Sequence, residues 1–193
     1  MQRSPTPLDI PELKAMIDAY LAVRDHVKCL RICRRWHAAH LPYVWSYVPI
    51  NSVNSRRGLD SKLLEKHQLF IKSMFVFASS YIDIPTARLS SLASLKLEMS
   101  DYERKPTVQK ALDTIVTNAP KLRELDLMCN SIDWTMISQL ESLESLVVRN
   151  SDLTGSNLKY LWTVVCPRLC SLKLHQVVLP EVQDVPSDVT YPK

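Results

Sequence analysis

Glycine is nearly missing from this chain of 193 residues: only Gly58 and Gly155 occur. A phosphate-cradling loop needs glycines at fixed spacing so that backbone N–H groups can approach the anion, so nucleotide-binding folds built on such a loop are excluded. No apolar run reaches the roughly 18 residues of a membrane-spanning helix. The opening MQRSPTPLDIPEL has no apolar stretch fit for a signal peptide, so the expected location is intracellular, in the cytoplasm and/or nucleus. The five cysteines are an odd number, and without a secretory signal a disulfide framework is not expected. Excess charge is also small. A net +4 is too weak for nucleic-acid binding unless it is concentrated. The densest basic spot, Lys28 with Arg31, Arg34 and Arg35, reads as a solvated helix face. Neither a nucleic-acid nor a membrane partner is expected.

Catalytic and metal-binding patterns are missing too. Histidines stand at positions 26, 37, 40, 67 and 175, with no G-x-S-x-G nucleophile elbow and no H-E-x-x-H pair. Asp184 and Asp188 lie in a loose tail. No enzymatic activity and no catalytic residue are therefore expected. Cys29, Cys33, His37 and His40 would line one face of a helix, but one straight helix cannot wrap four ligands tetrahedrally around an ion. No metal site and no cofactor are expected. Cys166 and Cys170, on either side of Pro167, read as buried thiols.

What the chain does have is an ordinary globular balance, 46% hydrophobic and 23% charged, enough for one or two domains with a sizeable core. Residues 7–48 read as helical. Asp9 is a candidate N-cap, with Pro11 near the first helical position and Glu12 in the first turn. Leu13, Met16, Ile17, Tyr20 and Leu21 then form one apolar stripe. Asp25 is the candidate cap of a second helix carrying Val27, Leu30, Ile32, Cys33 and Trp36, with Leu41, Val44 and Trp45 beyond. Helices this short bury little surface alone, so the module needs a partner or neighbouring domain to complete its core.

The order IPEL, MIDAYL, VRDHVKCLRICRRW and a further Trp resembles an F-box over about forty residues, CRRW being its most specific part. The resemblance implies docking to a Skp-type adaptor and, through it, to a cullin. The docking face it implies includes Ile10, Pro11, Leu13, Ile17, Leu21, Val27, Leu30 and Ile32, while Trp36 packs the module together. Asp18 departs from the pattern, standing where the family often has Phe. Losing a buried Phe removes roughly 3 kcal/mol of packing; an unpaired carboxylate facing the adaptor would cost more, and one facing solvent would cost little.

The remainder repeats. AP-KLRELDL-MCNSI (119–132) aligns with CP-RLCSLKL-HQVVL (166–179), LESLVVRNSDL (143–153), LASLKLEMSDY (92–102) and IKSMFVFASSY (71–81). From Met74 the matched positions fall at Leu95, Leu125, Leu146 and Leu172, steps of 21, 30, 21 and 26 residues. The pattern L-x-x-L-x-L-x-x-N-x-L resembles leucine-rich repeats. Asn130 fills the asparagine position once, and Ser100, Ser151 and Val177 stand there elsewhere. The first leucine of each unit would close a turn and the next two would point from a short strand into an interior shared by stacked neighbours. Helices are expected between strands, at 61–70, 107–119 and 156–165.

The expected fold is therefore α/β: an F-box-like helical module (7–48), a linker (49–60), about five irregular leucine-rich repeats with one parallel strand each (61–179), and a Pro-containing tail (180–193), either disordered or a frayed last strand. The implied role is a substrate receptor of a cullin-RING ubiquitin ligase. Its target protein would be held by the outward strand positions Lys96, Glu124, Asp126, Val147 and Lys173, with Arg123 and Arg149 at the margins. The alternative is a repeat scaffold outside any ligase.

Overall fold

The structure is a computed structural model, and it describes residues 10–51, 61–78, 88–99, 113–114, 117–129, 132, 134–151, 153 and 155–178. The chain divides into a helical unit, Met1–Ser46, and a mixed α/β unit, Tyr47–Lys193.

The helical unit holds α1 (Pro11–Tyr20), α2 (Val23–Cys29) and α3 (Arg34–Trp45). Pro11 opens α1 at its first position, where the missing N–H costs nothing and the fixed φ favours the helix. The N-cap is Ile10 rather than Asp9, and it gives no side-chain bond. Asp25 also does not cap α2: Ala22 holds that place, and Asp25 sits in the first turn, where a carboxylate complements the helix dipole. The single second helix expected through Trp36 is broken at residues 30–33, and α3 starts at Arg34 with extended Cys33 as its cap.

The second unit contains β1 (Tyr47–Asn51), α4 (Ser61–His67), β2 (Ser73–Ala78), β3 (Ser94–Met99), β4 (Glu124–Met128), α5 (Trp134–Ile137), β5 (Ser145–Arg149), α6 (Gly155–Tyr160) and β6 (Ser171–His175). Among the described residues, all six strands are parallel and lie side by side in chain order. Two rows cross the sheet in register. One runs Val48, Met74, Leu95, Leu125, Leu146, Leu172; the other runs Ile50, Val76, Leu97, Leu127, Val148, Leu174. Every member is buried except the two on β6, which are half-buried.

A third row explains the three-then-two leucine spacing. Ile71, Leu92, Leu122, Leu143 and Leu169 each precede a strand by two residues. The first four are buried. In each, the backbone N–H donates to the carbonyl three residues back: to Gln68, Leu89, Ala119, Leu140 and Cys166, at 3.0–3.4 Å. Each is a turn closed just before its strand. Pro120 and Pro167 sit at the second turn position, where the ring presets φ, which accounts for the repeated Pro-basic-Leu. The next carbonyl along, of Lys72, Ala93, Arg123 or Glu144, accepts two N–H bonds from the following unit. The units are thereby locked to one another where the strands begin.

Residues 49–51, expected in a linker, belong to β1; residues 52–60 lie outside the described residues. Pro49 is tolerated within β1 because β1 is at the edge of the sheet, where a strand can lack a donor. Helix follows at Ser61–His67, continued by a 3-10 turn at Gln68–Phe70, and at Gly155–Tyr160, continued by a π turn at Leu161–Val165. In the expected 107–119 helix, residues 113–114 and 117–118 are helical, Ala119 has left the helix and starts the turn before β4, and residues 107–112 and 115–116 lie outside the described residues. The same holds for Asn130, Ser100 and the 180–193 tail.

Cys170 is exposed, contrary to the expectation of a buried thiol, and Cys166 is half-buried. Cys170 occupies the repeat position of Lys72, Arg123 and Glu144, which are all exposed. Burial pushes the Cys129 thiol up to about 12 and Cys166 up to about 11. Mild maleimide labelling of the native chain is therefore expected to modify exposed Cys33 and Cys170 quickly, and buried Cys129 and Cys29 only on unfolding, which opens access to them and, for Cys129, relieves the burial that holds its thiol protonated. Peptide mass mapping checks it; rapid labelling of Cys129 would contradict its burial.

Candidate functional site

Helix α1 is built inside out. Its polar pair Lys14 and Asp18, one turn apart, faces the interior of the helical unit, and Asp18 is the buried residue of this helix at 5% exposed. Its apolar stripe faces solvent: Met16 is 60% exposed, Ile17 41% and Tyr20 88%. Of the residues expected on a docking face, Ile10, Pro11, Leu13, Ile17, Val27 and Ile32 are exposed, while Leu21 and Leu30 are half-buried. The inward side is settled by a cluster the sequence reading did not assemble. Cys29, Cys33, His37 and His40 do not share one helix, because the chain breaks at residues 30–33; His40 lies instead with Asp18 and His26. Three helices contribute, so no single periodicity marks the group.

The geometry of this cluster is tight. His26 Nδ1 and His40 Nδ1 are 2.9 Å apart. His40 Nδ1 lies 3.5 Å from Asp18 Oδ1, and Lys14 Nζ lies 3.2 Å from Asp18 Oδ2. His26 stacks on Tyr43 at 4.7 Å between ring centroids, and Trp36 stacks on His40 at 5.1 Å, so Trp36 packs the module as expected. Burial lowers the His40 pKa against the opposing pull of Asp18, and His26 and Lys14 lower it further. Tyr43 is raised, first by hydrogen bonding toward Asp18 and then by burial, yet neither Asp18 oxygen carries a hydrogen bond of full geometric quality. Among the described residues, Asp18, His26 and His40 form the group able to hold a metal ion, with their donor atoms all within 4.8 Å of one another.

On the sheet, the outward row Pro49, Phe75, Lys96, Asp126, Val147, Lys173 is in register across all six strands. Glu124 and Lys173 are exposed; Lys96, Asp126 and Val147 are half-buried. Asp126 is engaged by a neighbour: Arg149 Nε and Nη2 donate to its two carboxylate oxygens at 3.0 and 3.1 Å, and this bond raises the Arg149 pKa. Lys96 sits 5.0 Å over the Phe75 ring and 3.5 Å from Glu98. Arg123 and Glu144 approach to 3.7 Å at the strand margin. The five proposed target-contacting residues therefore share one face, two of them already held by ion pairs that a ligand would have to exchange.

Among the described residues, no helix is long and apolar enough to cross a membrane. Neither a family model nor a curated protein matches this chain.

Proposed function

We propose that the chain is the substrate-recognition subunit of an SCF-type cullin-RING ubiquitin ligase, acting in the cytoplasm and/or nucleus: the F-box-like helical unit docks a Skp-type adaptor and the leucine-rich repeats hold a target protein. The observation that carries this reading is the inverted α1, which spends its polar face on the interior and leaves Leu13, Met16, Ile17 and Tyr20 in water. An amphipathic helix with an exposed apolar stripe is suited to a hydrophobic groove on a partner. The in-register aliphatic rows and the turn that recurs before each strand support the repeat half, with outward positions free to vary without disturbing the core. A receptor of this kind does no chemistry; it raises the local concentration of its target near a ubiquitin-loaded enzyme.

Co-expression with a Skp-type adaptor tests the reading. The two chains are expected to elute together on size exclusion at micromolar concentration. Separate elution would remove the ligase assignment and leave the scaffold reading, in which the repeats bind proteins without an adaptor.

A further inference from the structure

We propose that Asp18, His26 and His40 form a binding site for a zinc-class divalent cation that ties α1, α2 and α3 together. The site is independent of the docking reading, since its ligands point into the helical unit and not toward the exposed stripe.

The donor set is two imidazole nitrogens and one carboxylate, a combination that suits zinc and its neighbours rather than calcium or magnesium. Bonds of about 2.0–2.1 Å to a tetrahedral ion place neighbouring donors roughly 3.3 Å apart. The two Nδ1 atoms stand at 2.9 Å and His40 Nδ1 to Asp18 Oδ1 at 3.5 Å, on either side of that value, with the whole donor set inside 4.8 Å. Three protein ligands leave one tetrahedral position for water.

An independent observation points the same way. The Asp18 side chain is 2% exposed, and both of its oxygens lack a well-formed hydrogen bond. A buried carboxylate in that condition is costly. Lys14 at Oδ2 relieves one side and leaves Oδ1 turned toward His40. With a cation at Oδ1, the Lys14 ammonium becomes an outer partner that orients the carboxylate, as such partners do in built metal sites. Without a cation, two imidazoles at 2.9 Å must share one proton between facing nitrogens, which requires opposite tautomers.

The competing ligands are the five thiols and the histidines outside the cluster, and the experiment separates them. The full chain, kept reduced and stripped with chelator, is titrated with Zn²⁺ against a chromophoric competitor and separately with Co²⁺. One equivalent is expected to bind. The cobalt spectrum should show the intense visible d–d bands of a tetrahedral centre with no thiolate charge-transfer absorption. Asp18→Asn and His26→Gln are each expected to weaken zinc by at least the ~10–100-fold typical of losing an outer partner; His37→Gln and Cys33→Ser should leave it unchanged. Zinc-edge X-ray absorption of the unsubstituted chain gives a readout that does not depend on any variant folding: a nitrogen/oxygen shell with imidazole scattering is expected. No saturable binding, a sulfur shell, or tight binding that survives both cluster substitutions in folded protein would overturn the site.

Discussion

Leu127→Ala is expected to destabilise the sheet unit by about 3 kcal/mol, near the middle of the range for a fully buried leucine. Leu127 is 0% exposed and is held in register between Leu97 and Val148. Its neighbours on both sides belong to strands whose hydrogen bonds fix their spacing, so the lining cannot move in to fill the void and the cavity cost is added to the lost transfer energy. Leu172→Ala removes the same atoms from the same kind of position, but β6 is the last strand of the sheet and Leu172 is half-buried. Water fills what is lost there, and the expected cost is about 1 kcal/mol. Urea unfolding, followed by exposure of the Cys129 thiol one residue beyond β4, reports this unit separately from the helical one. Equal costs at the two positions would mean that the rows do not share a common interior.

The contrast between these two leucines also marks where sequence reading worked. In the repeats, each physical requirement left a local trace: two of the five turns carry proline at the second position, a short strand needs alternation, and a shared core needs an aliphatic residue at each recurrence. Met74, Leu95, Leu125, Leu146 and Leu172 are paired in the sheet as their spacing required. Elements without such a trace were missed. Helix α5 has four residues, one turn, too few for any period. Strand β1 contains Pro49, a residue that forbids a central strand and is tolerated at an edge, and a linear pattern does not reveal which strand lies at the edge. The Asp18 cluster is the clearest case. Its members are 8 and 14 residues apart in the chain, on three helices, and only the fold brings them together. Asp18 faces the interior of its own unit, against Lys14, His26 and His40, and not an adaptor or solvent.

That inward turn of Asp18 fixes the outcome expected for the opposite face. Leu13→Asp combined with Ile17→Asp is expected to leave the helical unit folded, because Leu13 is 39% and Ile17 41% exposed in the free chain and surface substitutions away from special features change stability little. Adaptor binding should fall at least ~100-fold. Two aliphatic side chains buried in a groove contribute roughly 1.5–3 kcal/mol each, and two carboxylates forced into the same groove add a desolvation cost; ~2.8 kcal/mol already corresponds to that factor. Circular dichroism and adaptor titration are read together. Loss of binding with retained helicity locates docking on the stripe. Undiminished binding would move the adaptor to another surface or remove it from the account. Loss of helicity would show that Leu13 and Ile17 serve the core of the unit, and then the reason for leaving a polar pair inside α1 would have to be sought in the metal cluster alone. Leu64→Asp in α4 supplies the comparison, since Leu64 is 1% exposed and the same change of side chain there should unfold the sheet unit.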